Sequence, residues 1–229
     1  MTDTGTQKPN ILYIHSHDTG RYIQPYGHAV PTPSLQRLAE EGALFRQAFT
    51  SSPTCSPSRA CLLTGELPHS NGMLGLAHRG FALNDYSKHI LHTLRSDGYS
   101  SYLSGVQHIA SGENAWRTIG YDACLAPPAQ AEVEAARFLR SKPAQPFFLD
   151  IGFFETHRPF PEPSIEEDPR YCLPPQALPD APETRYDMAC FKRSARVMDG
   201  KIGAVLAALD ESGLAQSTLV VCTTDHGIA

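Results

Sequence analysis

The sequence predicts an α/β fold built on a mostly parallel sheet flanked by helices, and three observations carry that expectation. Short apolar runs alternate with segments of helical periodicity along the chain. Of the 229 residues 41% are hydrophobic and only 19% charged, which supplies a substantial core and excludes a disordered tail. Histidines and carboxylates recur directly after the apolar runs, where an open parallel sheet presents its ligands.

Taken in order, residues 11–14 form a first strand after Pro9-Asn10. Residues 35–45 read as a helix whose apolar face is Leu35, Leu38, Ala39, Leu44 and Phe45, capped by Ser34 just after Pro33. A second helix over 90–97 is closed by Gly98, and a strand over 99–103 ends at Gly105. Residues 132–141 read as a further helix. The run 147–154 is the most convincing buried strand, with Asp150 its only charge before Glu155. Prolines at 159, 161, 163, 169, 174, 175, 179 and 182 forbid a helix or central strand there, so this stretch is expected as a long irregular excursion at a binding mouth. A helix over 183–212 stops at Gly213, and 219–222 is the last strand. No internal repeat is present. The expectation is one catalytic α/β domain over residues 1–229. Because Asp225-His226-Gly227 follows the last strand at once, a smaller C-terminal portion is expected beyond it.

Composition narrows the function. The net charge is −5 and no Lys/Arg-rich run exists, so nucleic acid has no electrostatic footprint. No apolar run approaches the roughly 20 residues of a membrane span. Met1–Lys8 is polar and lacks a secretion-signal pattern, and six irregularly spaced cysteines make no disulfide framework. A cytoplasmic location is the expectation.

Just past the first strand lie His15, His17 and Asp18; past the second, His108; past the long apolar strand, Glu155 and His157; past the last, Asp225 and His226. Four strands thus deliver titratable groups to one sheet edge, which points to a metal site or acid/base chemistry. The segment Cys55-Ser56-Pro57-Ser58-Arg59-Ala60-Cys61-Leu62-Leu63-Thr64-Gly65 adds a cysteine at a helix start, where free N–H groups favour an anion, with Arg59 one turn on. The helical turn itself is expected over residues 60–64. The plain alternative is a structural cysteine beside a solvated arginine. Cys61, Cys124, Cys172, Cys190 and Cys222 read as buried small apolar groups, and His28, His69, His78, His89 and His92 as surface or core residues.

The pattern Cys55-x-Pro57-Ser58-Arg59 followed by Leu62-Leu63-Thr64-Gly65 resembles the signature of the sulfatases, in which the cysteine is oxidised to formylglycine. The likeness extends over most of the chain. Pro9-Asn10-Ile11 with Asp18, Thr32-Pro33-Ser34-Leu35, Phe147-Phe148-Leu149 leading to His157-Arg158-Pro159, and Thr224-Asp225-His226-Gly227 are all similar to segments of that family. Leu67-Pro68-His69-Ser70-Asn71-Gly72-Met73 resembles the heparan N-sulfatase branch.

The resemblance implies an alkaline-phosphatase-like fold and hydrolysis of sulfate esters or sulfamates. Cys55 as formylglycine would be the covalent catalyst: one hydroxyl of its hydrate attacks sulfur, and the other then expels sulfate. Arg59 would steady the developing charge, and His108 and His157 would serve as acid and base. One divalent cation would be held by Asp18, Asp225, His226 and His17. The family uses Ca²⁺ or Mg²⁺, and the imidazoles of His17 and His226 shift preference towards Mn²⁺, Fe²⁺ or Zn²⁺. The partners implied are a small-molecule or saccharide sulfate ester and a formylglycine-generating maturation enzyme. Two departures stand out. Asp225-His226 is the pairing of the related phosphonate monoester hydrolases, and Gly105-Val106-Gln107-His108 puts Val106 where the family has a sulfate-binding lysine. A phosphonate monoester or phosphodiester hydrolase is therefore the alternative enzyme, and a non-catalytic sulfatase-like binding protein or inactive fragment the alternative from another class.

Overall fold

The computed structural model describes residues 8–227; of the polar leader, all but Lys8 lies outside the described residues. Five strands, β1 (Asn10–Ser16), β2 (Ser100–Gly105), β3 (Ala123–Ala126), β4 (Phe147–Gly152) and β5 (Thr218–Thr224), form one sheet in the order β3-β2-β4-β1-β5. Every neighbouring pair is parallel. Helices α1 (Pro33–Glu41), α2 (Cys55–Thr64), α3 (Pro68–Asn71), α4 (Ile90–Ser96), α5 (Ala115–Ile119), α6 (Ala131–Arg140) and α7 (Pro182–Ser212) supply the crossovers that a parallel sheet requires.

The strand alternation sorts these helices into two layers. Leu12, Ile14, Phe147, Leu149 and Ile151 point to one face and pack against buried residues of α1, α6 and α7. Tyr13 and Phe148 point to the other, where they join residues of α2, α4 and α5. β4 is buried at all six positions, as expected of a central parallel strand. Among the described residues no helix is long and apolar enough to cross a membrane.

Several expectations need correction. The helix expected over 35–45 ends at Glu41 because Gly42 follows, and Phe45 is 74% exposed rather than part of a buried face. Ser34 does not cap it. Asp199, buried in the middle of α7, accepts from the backbone N–H of Ser34 (3.0 Å) and Leu35 (2.9 Å), so a distant carboxylate satisfies the free donors. The helix expected from Ala60 begins at Cys55, with Pro57 tolerated in its first turn. The strand expected over 147–154 stops at Gly152. Strand β3 and helices α3 and α5 were too short and weakly patterned to be expected. Cys124 and Cys222 are exposed, on β3 and β5 at the two edges of the sheet. The proline-rich stretch carries only one 3-10 turn, Pro169–Tyr171, before α7.

Asp199→Ala leaves two donors of α1 without their acceptor. It is expected to lower the free energy of unfolding by about 1–2 kcal/mol, read as a lower urea midpoint at constant slope. An unchanged midpoint would show that the tie contributes nothing.

Candidate active site

Strands β1 and β5 lie side by side in register, Ser16 opposite Thr224, so the loops that leave them emerge together. The β1 loop turns sharply at Asp18, whose φ is +53°, and is stitched to the β5 loop by Gly20 N–H to the His226 carbonyl (3.0 Å). Asp225 Oδ1 accepts from the Asp18 N–H (2.9 Å) and from the His226 N–H (2.8 Å). Helix α2 ends its approach on this pair of loops. Ser58 donates to the Asp225 carbonyl (2.5 Å), and Arg59 places Nε and Nη2 3.2 and 3.0 Å from Asp225 Oδ2.

Cys55, the first residue of α2, is thereby held against both loops. Its Sγ lies 3.4 Å from His226 Nε2 and 3.9 Å from Asp18 Oδ1. His226 Nε2 is 3.2 Å from Asp18 Oδ1, and its Nδ1 faces the Gly227 carbonyl at 2.9 Å. His17 Nδ1 is 3.3 Å from Asp225 Oδ2. Donor atoms of His17, Asp18, Cys55 and Asp225 all lie within 4.8 Å of one another, and all four residues are buried. The His17 ring is fully buried and neither nitrogen has a hydrogen-bond partner. A buried imidazole left bare beside two carboxylates fits the donor set of a divalent cation. The expected ligands Asp18, Asp225, His17 and His226 are thus brought together.

The environment explains the charge states. Burial pushes the Asp225 carboxyl up, but Arg59 and the two N–H bonds outweigh it and hold it below the usual carboxylate range. Burial and then the Asp225 charge raise Asp18. Burial, Asp225 and Asp18 push the Cys55 thiol up to about 12. His17 is lowered by burial and by Arg59. His108 is lowered to about 4, first by burial and then by Arg59 and His78, so it is a neutral imidazole.

His108 and His157 both reach this centre, their rings 5.4 and 5.6 Å from that of His17. His108 sits after β2 with φ at +59°. His157 stacks on Phe154, with centroids 4.4 Å apart, and its Nδ1 lies 2.6 Å from the Arg158 carbonyl. Glu155, expected beside it, turns away to Lys201 (2.5 Å) on α7 and is not part of the site.

Two arrangements go beyond the sequence reading, which names His15 as a strand-end histidine and Arg59 as a site residue but does not link them. Beneath Arg59 runs a buried chain: Arg59 Nη1 contacts His15 Nδ1, His15 Nε2 meets Asp150 Oδ1 at 2.8 Å, and Asp150 Oδ2 accepts from the Tyr121 hydroxyl at 2.5 Å. His15 and Asp150 lie on the same sheet face as Tyr13 and Phe148, and a polar residue at that parity within an apolar strand was the available signal. Gly152 makes room for this chain, since a Cβ there would meet the Val106 carbonyl at 1.9 Å and His15 Cε1 at 2.5 Å. The second group is His78, whose ring stacks on His108 with centroids 5.3 Å apart; an isolated histidine in a loop carried no signal.

Comparison with known proteins agrees with this geometry. The profile of the family described as Sulfatase matches residues 9–229. Human N-sulphoglucosamine sulphohydrolase is 30% identical over 253 aligned residues, covering 96% of this chain and 50% of its own length. A solved sulfatase-type structure from Bacteroides fragilis superposes with a TM-score of 0.82 at 22% identity, covering all of this chain and 64% of that one. A phosphonate monoester hydrolase of Agrobacterium radiobacter gives a TM-score of 0.74 at 19% identity over 96% of this chain and 63% of its own. These two likenesses show the alkaline-phosphatase-like fold. The chain spans about half the length of the human relative. With the profile matched from the first strand to the last loop and the signature cysteine set between them, this chain belongs to the sulfatase family.

Proposed function

We propose that this chain carries the catalytic centre of a metal-dependent hydrolase of sulfate esters or sulfamates, with Cys55 as the residue matured to formylglycine. One observation carries the reading: the Cys55 sulfur sits within 3.9 Å of both loops that follow β1 and β5, among donors suited to a cation. As formylglycine hydrate, residue 55 would turn one hydroxyl on sulfur and later release sulfate by losing the proton of the other. A divalent cation held by Asp18, Asp225, His17 and His226 would draw charge from the sulfate oxygens and acidify the attacking hydroxyl. Arg59 is locked by Asp225 and the Ser16 carbonyl, so its charge is aimed before substrate arrives. His108 enters neutral and can take up a proton, and His157 stands within reach of the same centre for the partner transfer.

A phosphonate monoester or phosphodiester hydrolase using the same residues is the second reading. His226 against Cys55 and Asp18 favours it, as does an apolar Val106 where a cationic side chain would help hold sulfate. The formylglycine-bearing protein, assayed with matched aryl sulfate and aryl phosphonate esters, is expected to favour sulfate; a clear phosphonate preference reverses the order.

Cys55→Ala is expected to reduce turnover to background while the circular-dichroism spectrum stays that of the parent, and retained turnover would place the nucleophile elsewhere. Asp225→Asn is expected to lower bound metal by elemental analysis. It also removes the charge facing buried Arg59, at a cost of about 3–5 kcal/mol in stability. Unchanged metal content would contradict its role as a ligand.

A further inference from the structure

Two donor sets, not one, converge on Cys55. The oxygen-rich set adds Asp18 and Asp225 to His17 and Cys55. A second set, His17, Cys55 and His108, also has its donor atoms within 4.8 Å of one another and contains no carboxylate. We propose that, while residue 55 is still a thiol, the chain binds a thiophilic divalent cation of the Zn²⁺ type on His17, Cys55 and His108, a set that shares His17 and Cys55 with the oxygen-rich one. The proposal rests on the same cleft as the proposed hydrolase but concerns its unmodified form.

Four observations point to a ligand here. His17 is fully buried with both ring nitrogens bare, so one nitrogen is free for this side even where Asp225 approaches Nδ1. His108 Nδ1 is likewise buried and without a partner. Its other nitrogen, Nε2, lies 3.1 Å from His78 Nδ1; the tautomer that donates from Nε2 leaves the lone pair on Nδ1, as an outer partner does for a metal-bound imidazole. Finally, the left-handed backbone at His108, φ +59°, turns this ring in towards His17. Two imidazoles and one thiolate make a three-ligand set with a fourth position left for water, a combination zinc takes readily. On binding, the thiol proton passes to solvent as the metal–sulfur bond forms, so the charge of the cation offsets that of the new thiolate. Oxidation of Cys55 to an aldehyde removes the sulfur donor and with it this site, leaving the oxygen-rich set.

The test uses the full chain with Cys55 verified as unmodified by mass spectrometry, and Co²⁺ as a spectroscopic probe displaced by Zn²⁺. A sulfur-to-cobalt charge-transfer band is expected in the near ultraviolet, absent in Cys55→Ser and abolished by excess Zn²⁺. His108→Asn keeps a residue tolerant of the left-handed backbone and is expected to weaken Co²⁺ binding by about tenfold or more. His78→Ala, at an exposed position, is expected to weaken it in the same direction without threatening the fold. Asp18→Asn is expected to change it less than about threefold. Absence of the band in the parent overturns the proposal, and so does loss of binding in Asp18→Asn with none in His108→Asn or His78→Ala, which would put the ion on the oxygen-rich set. Ester turnover by the formylglycine form is a separate measurement, so failure of the hydrolase reading and failure of this site are told apart.

Discussion

The buried pairing of Arg59 with Asp225 is the constraint on which the site depends. The Arg59 side chain is 3% exposed and that of Asp225 not at all, so neither charge has water to fall back on. Two charges are kept in such a place only if every lobe is satisfied. Here they are: Arg59 reaches Asp225 through Nε and Nη2, the Ser16 carbonyl through Nη2 and His15 through Nη1, while Asp225 also accepts two backbone N–H groups. The pair welds the N-terminal half of α2 to the ends of β1 and β5. Cys55 cannot move relative to Asp18 and His226 without dismantling it.

The parallel sheet converts this local weld into a centre. Parallel strands point all their carboxyl ends one way, so the loops after β1, β2, β4 and β5 meet along one edge whatever their separation in sequence. Glycine at 152 lets the β2 loop close over the end of β4, and that is what carries His108 to within ring contact of His17. The long hydrogen-bonded chain from Tyr121 through Asp150 and His15 then supports Arg59 from below.

Much of this was legible in the residues. The alternation of apolar runs and helices marks four of the five strands; His17, Asp18, His108, His157, Asp225 and His226 converge from the strand ends, and Cys55 and Arg59, read from their motif, meet them at the start of α2. What escaped did so for physical reasons. β3 is four residues on an edge, with too little burial to leave a pattern. The early start of α2 is masked by Pro57 and small polar residues, which look like a loop until the tertiary contacts of Ser58 and Arg59 hold them helical. The cap of α1 comes from Asp199, well over a hundred positions away, and no local signal encodes it. Glu155 has the right position but finds Lys201 first.

The start of α2 has a consequence for the order of events in the life of the chain. Ser56 is fully enclosed and Cys55, Ser58 and Arg59 are each at most 8% accessible, so the run from residue 55 to 59 offers no surface that another protein could grip. A catalyst that reads Pro57-Ser58-Arg59 and reworks the neighbouring sulfur, as the proposed function requires, would have to meet the polypeptide before the sheet closes around it. In a molecule that has already folded, the small exposed part of Cys55 admits a small ligand or ion to the sulfur but not a protein that must also grip residues 56–59.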